Sequence, residues 1–147
     1  MDVKAYMAED LEYIDDLVQE LRDHVTKWST DKVLEKSGDM LDAFYKRFRL
    51  EDFVLRHAHP SKDMEISLKR FLKVRNQFRE HLENILMLHV DEPDFLREIR
   101  KVHEAVIKHI AYLKSDFDPN FFDKISATQL SEMSVALEKR IKILSFS

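Results

Sequence analysis

From Met7 to Trp28 the apolar side chains Met7, Leu11, Ile14, Val18, Leu21, Val25 and Trp28 recur at alternating intervals of four and three. At 3.6 residues per turn this spacing puts all seven on one stripe of a single helix. A strand, with its period of two, would scatter them over both faces. An amphipathic helix of this kind is stable only when its stripe is covered. The feature therefore calls for further helices packed against the first, and the rest of the chain supplies them.

Trp28-Ser29-Thr30-Asp31 offers capping oxygens for a second helical region, in which Ser37-Gly38-Asp39 permits a break or a kink. Its stripe resumes through Met40, Leu41, Phe44, Phe48 and Leu55. It stops at His59-Pro60, because proline disfavours helix in the residue before it. Ser61 or Asp63 caps a third helix with the stripe Met64, Leu68, Phe71, Arg75, Phe78, Leu82, Ile85 and His89, so that Arg75 and His89 interrupt an apolar series. The short connector Val90 to Pro93 predicts an antiparallel fourth helix carrying Phe95, Ile99, Val102, Val106, Ile110 and Leu113, which ends near Lys114 to Pro119. Phe121 and Phe122 are placed to plug an end of the assembly. Ser126 or Thr128 starts a last helix with Leu130, Met133, Leu137, Ile141 and Leu144 inward.

One glycine and three prolines in 147 residues leave almost no material for sheet turns or for glycine-rich phosphate loops. The expected fold is all-α: an up-and-down four-helix bundle with one additional broken helix, forming a single domain over residues 1–147. The absence of cysteine excludes disulfides, thiolate metal sites and thiol nucleophiles. The start of the chain, MDVKAYMAEDLEY, has acids spaced through it and reads as neither signal peptide nor anchor, so the expected setting is cytoplasmic, without a membrane. The 28 acids and 24 bases give a net charge of −4 and are intermixed, which is the pattern of solvated helix faces. Nucleic acid is not an expected partner, since no basic block is present to displace counterions from phosphate. Another protein, or a second copy of the chain, is.

The residues that could carry chemistry are histidines. His81 follows Phe78 by three and precedes Ile85 by four; His24 neighbours Leu21 and Trp28; His103 neighbours Ile99, Val106 and Ile107. All three lie at the edge of an apolar stripe, on three different helices. If they converged, three imidazoles could hold a single divalent ion such as zinc, with water as the fourth ligand. If they did not, each would be a boundary residue with a half-buried ring. His109 is about 240° around its helix from His103, so the two cannot serve one centre. His57, His59 and His89 sit at expected helix ends, where a charged ring complements the dipole. No histidine has a glutamate three residues before it, as a ferritin-type site requires, and no serine has the glycine context of a strained nucleophile turn.

In the segments FREHLENI, KVHEAVI and LEKRIKILSF the chain resembles hemerythrin-like (HHE) cation-binding helical bundles, over roughly residues 15 to 146. In that family histidines and glutamates from four helices hold a di-iron centre. The resemblance implies that His24 corresponds to the first-helix ligand, His81 to the histidine of the His-x-x-x-Glu pair, and His103 to the ligand of the third bundle helix. Ile85 stands where a bridging glutamate belongs, and Arg140 and Leu144 stand where a histidine and a glutamate belong. An iron pair needs carboxylate bridges and charge neutralisation, so a di-iron cofactor is not expected and the implied site is degenerate. A second resemblance, to HEPN-type helical ribonucleases, rests on Arg75-Asn76 and His81, although residues six apart on an unbroken helix point about 120° away from each other. The expectation is thus a non-enzymatic binding or regulatory module, with at most a three-histidine metal pocket. An RNA-binding or ribonuclease domain using Arg75 and His81, or a protein interaction module without a ligand site, is the alternative.

Overall fold

A computed structural model describes residues 1–59 and 61–145; of residues 143–145 it describes the backbone alone. Five long helices carry the structure: α1 (Val3–His24), α2 (Thr30–His57), α3 (Lys62–Glu83), α4 (Phe95–Tyr112) and, after the short α5 (Asp118–Asp123), α6 (Ala127–Ser145). Strands are absent among the described residues. The fold is an all-α bundle, and no described helix is long and apolar enough to cross a membrane.

Local chemistry sets the helix starts. Asp2 Oδ1 accepts from Lys4 N at 2.8 Å and caps α1, and Ser29 Oγ accepts from Lys32 N at 3.2 Å and caps α2. Ser126 and Gln129 form a reciprocal box before α6: the Gln129 amide donates to Ser126 Oγ at 3.1 Å and the Ser126 amide to Gln129 Oε1 at 3.3 Å. Ser126, rather than Thr128, is therefore the residue that opens the last helix.

Side-chain pairs give the order of the helices. Asp10 of α1 lies against Arg47 of α2, Arg75 of α3 reaches back to Glu51 and Asp52 of α2, and Phe78 of α3 stacks on His109 of α4 while Phe71 stacks on Phe117 further on. Lys114, just past α4, pairs with Glu12 and Asp15 near the middle of α1. Residue numbers rise on one partner as they fall on the other, so α1 to α4 run up and down in sequence. Helix α6 lies across the end where α1 begins and α2 finishes: the Val3 amide donates to Ser134 Oγ at 3.0 Å, and the Arg140 guanidinium sits over the Phe53 ring. The stripe residues Met7, Leu11, Ile14, Val18 and Leu21 are all buried.

Three expectations change. Helix α2 runs through Ser37-Gly38-Asp39 without a break. A mid-helix glycine costs only about 1 kcal/mol, and the flanking Ser37 is wholly buried in the core, so packing holds the helix together. Helix α3 gives way at Asn84–Met87 to a 3₁₀ turn, which leaves His89 exposed and outside any helix, with no dipole to complement. The fourth helix does not end at Lys114 to Pro119: it widens into a π turn at Leu113–Phe117 and continues as α5. Pro119 is the second residue of α5, directly after the π turn. Helix α2 ends at His57, just before the expected stop at His59-Pro60; Pro60 itself and the inward side chain of Leu144 lie outside the described residues.

Candidate functional site

The three stripe-edge histidines go to three different environments. His24 is half-buried, stacks on Trp28 with ring centroids 4.5 Å apart, and donates from Nδ1 to the Glu20 carbonyl at 2.8 Å. His81 is exposed. His103 is buried, with Nε2 hydrogen-bonded to Ser37 Oγ at 3.0 Å. No group of three His, Cys, Asp or Glu side chains among the described residues is arranged to hold a metal ion, so these three are not brought together as ligands. Ile85, which the hemerythrin-like resemblance would set where a bridging glutamate belongs, is packed into the core, and Arg140 is exposed.

Arg75 and His81 are not brought together either. Helix α3 is unbroken between them, so the angle of about 120° stands. Arg75 turns inward, donating to Asp52 Oδ1 at 2.7 Å and Glu51 Oε1 at 3.5 Å, whereas His81 faces solvent. His109, not expected to share a centre with His103, is buried, with its ring parallel to Phe78 at 3.9 Å and no hydrogen-bond partner for Nε2 among the described residues. Burial, reinforced by the positive charges of Arg47 and Arg75, lowers its pKa to about 3; burial alone lowers that of His103 to about 4. Both rings are neutral at physiological pH.

The largest polar assembly in the core centres on Arg47, which its stripe position alone does not mark. Arg47 is completely buried and donates from every guanidinium nitrogen: Nε to Glu51 Oε2 at 3.0 Å, Nη1 to the Met7 carbonyl at 2.9 Å, and Nη2 to both Asp118 carboxylate oxygens at 3.2 and 3.0 Å. Asp10 approaches Nη1 at 3.9 Å. Burial would depress the Arg47 pKa, but Glu51 and Asp118 outweigh it and hold it above the usual range. With Arg75 included, two guanidinium groups meet four carboxylates, Asp10, Glu51, Asp52 and Asp118. The acids are in excess, and burial pushes Glu51, Asp118 and Asp10 up despite the neighbouring cations. Two local features build the assembly. Arg47 and Glu51 are one turn apart on the stripe that also holds Phe44 and Phe48, so both face inward. The π turn then shifts the register of the chain after α4, and Asp118 follows directly at the start of α5. A charged pair four residues apart on an apolar stripe was the signal available in the sequence.

An open groove lies on the opposite side of His103, between the end of α1 and the middle of α4. It encloses about 410 Å³. Its floor is Val25, Ile107 and the His103 ring, and its rim carries Arg22, Arg100 and Lys108 together with Glu104 and Thr26. The three rim cations are exposed and form no ion pair among the described residues. The groove is within the size range of small-molecule pockets, and it combines an apolar floor with convergent polar groups. Ser37 and His103 are at the distance of a nucleophile and its base, but Ser37 has no exposed surface and lies inside a helix, so no substrate can reach its hydroxyl from the groove. Comparison of the chain with protein-family models, with curated proteins and with solved structures found no match.

Proposed function

We propose that this chain is a non-enzymatic, cytoplasmic binding or regulatory module whose ligand seat is the groove between α1 and α4. One observation carries the reading: the buried Arg47 guanidinium and the partly buried Arg75 are held by carboxylates and a backbone carbonyl, while Arg22, Arg100 and Lys108 line an apolar-floored cavity with no ion-pair partner among the described residues. A charge engaged within the fold serves the fold. A charge held unpaired beside a cavity is free to meet a ligand. The inaccessible Ser37 hydroxyl and the neutral His103 ring favour binding over catalysis. Of the hemerythrin-like resemblance this reading keeps the up-and-down bundle and not a metal centre.

The test is a fragment screen by ligand-observed NMR on the wild-type chain and on Ile107→Trp. Ile107 is half-buried on the groove floor, and the larger ring fills the cavity from beneath. Hits that bind the wild type and are lost in a variant with an unchanged melting profile support the groove. Hits that bind both proteins equally place the ligand elsewhere and refute it.

A further inference from the structure

We infer that the ligand of this groove is a small phosphomonoester: a dianionic phosphate at one end of a flat or apolar body. This rests on the groove being the ligand seat. The charges are placed for it along the two helices. Lys114 against Asp15 and Glu12 fixes the antiparallel register of α1 and α4. Arg22 is seven residues beyond Asp15, about 10.5 Å along α1, and Lys108 is six residues before Lys114, about 9 Å along α4. The two cations therefore stand at nearly the same level on opposite walls. Arg100 lies a further eight residues back, about 12 Å from Lys108, with Glu104 midway.

Two cations facing each other match one dianion. A guanidinium presents parallel N–H donors to two oxygens of a phosphate, and an ammonium adds a compact charge from the other side. A phosphomonoester carries close to two negative charges at neutral pH, as a phosphorylated side chain does. A carboxylate carries one and would leave the clamp half-neutralised. The helix N-terminus that often holds phosphate is absent from the groove: α1 contributes its C-terminal end and α4 its middle, so the side chains must provide the recognition. Next to the clamp, Ile107, Val25 and the neutral His103 ring form a surface for an apolar or aromatic body. Ser37 fixes the orientation of that ring through its hydrogen bond to Nε2. Arg100, at the far end, is left for an acceptor on the other end of the ligand.

Phenyl phosphate, inorganic phosphate and benzyl alcohol serve as probes in NMR titrations of the full chain, with Arg22→Gln, Lys108→Gln and Ile107→Trp as variants. Arg22 and Lys108 are exposed, so their replacement leaves folding intact. Phenyl phosphate is expected to bind more tightly than either other probe, to weaken about tenfold in each charge variant and to be lost in Ile107→Trp, as expected for a charge-assisted hydrogen bond removed from each wall. Benzyl alcohol binding as well as phenyl phosphate, with both lost in Ile107→Trp, would leave the groove standing as a ligand seat and overturn the phosphate. Inorganic phosphate binding as tightly as phenyl phosphate would overturn the organic body. Failure of phenyl phosphate to bind would overturn the inference while leaving the groove reading to the fragment screen; binding that Ile107→Trp leaves untouched would overturn both.

Discussion

Around Arg47 each guanidinium nitrogen donates to a carboxylate or a carbonyl, and the whole group is sealed from solvent; along the α1–α4 groove Arg22, Arg100 and Lys108 stand exposed with no ion-pair partner among the described residues. Both places use the same side-chain chemistry, and they differ in what surrounds it. In the core, water cannot solvate a guanidinium, so the structure must supply every acceptor. Such an ion cluster often contributes no more stability than apolar side chains of equal volume, but it demands one arrangement of the helices that carry it. At the groove, water satisfies the cations and the fold does not depend on them. The core cluster is thus a constraint on architecture, and the rim is spare charge available for recognition. His103 is sealed on one side and open on the other, since one ring nitrogen is tied to buried Ser37 while the residue floors the groove.

The largest effect expected from this contrast is that of Arg47→Met. It keeps much of the side-chain volume but strands Glu51 and Asp118, and removal of one member of a buried ion pair costs about 3–5 kcal/mol. Urea denaturation measures it; a loss below about 1 kcal/mol would mean the core cluster is as dispensable as the rim.

Acid should also unfold the protein from within. His103 and His109 stay neutral in the native state, with pKa values near 4 and near 3, while in the unfolded chain they titrate at 6.5. Below pH 6.5 the unfolded state takes up protons that the native state refuses. Stability is therefore fully present above 6.5 and falls with pH down to those lower values, by about 1.4 kcal/mol per histidine per pH unit. Glu51 and Asp118 act with the opposite sign. Their raised values favour the native state in acid, an advantage complete below 4.5 and 3.8 respectively and lost as pH rises through their folded values. His109→Phe isolates the histidine contribution. The new ring still packs on Phe78, and the urea midpoint should fall less steeply between pH 6.5 and 5 than in the wild type; an identical slope would show that His109 is accessible to protons.

Ser37→Ala comes next. It leaves His103 Nε2 buried without its partner, and the expected cost is about 1–2 kcal/mol, read from the same denaturation curves. The smallest effect belongs to Arg100→Gln and Lys108→Gln, each expected within about 0.5 kcal/mol of the wild type. A larger loss in either would show that the rim supports the fold and would blur the distinction between the two regions.

Much of the fold was legible from local spacing. The stripe from Met7 to Leu21, the capping cluster that holds Ser29, the start of the last helix beside Ser126 and the antiparallel turn after Val90 all involve residues within a few positions of each other, where helical geometry dictates who meets whom. The candidate site was legible only at His103, whose place at a stripe edge is both the reason it is buried and the reason it floors the groove. His24 and His81 share that spacing and have other fates, because a stripe edge says which side of a helix a residue occupies and not what faces it. Arg47 meets Asp118 across 71 positions and Ser37 meets His103 across 66. The helices, their caps and their apolar faces follow from contacts that close within one or two turns, and those can be read along the chain. Which polar groups on those faces are sealed in and paired, and which are left open, depends on helices distant in sequence, since packing brings up the neighbours that supply burial and counter-charge.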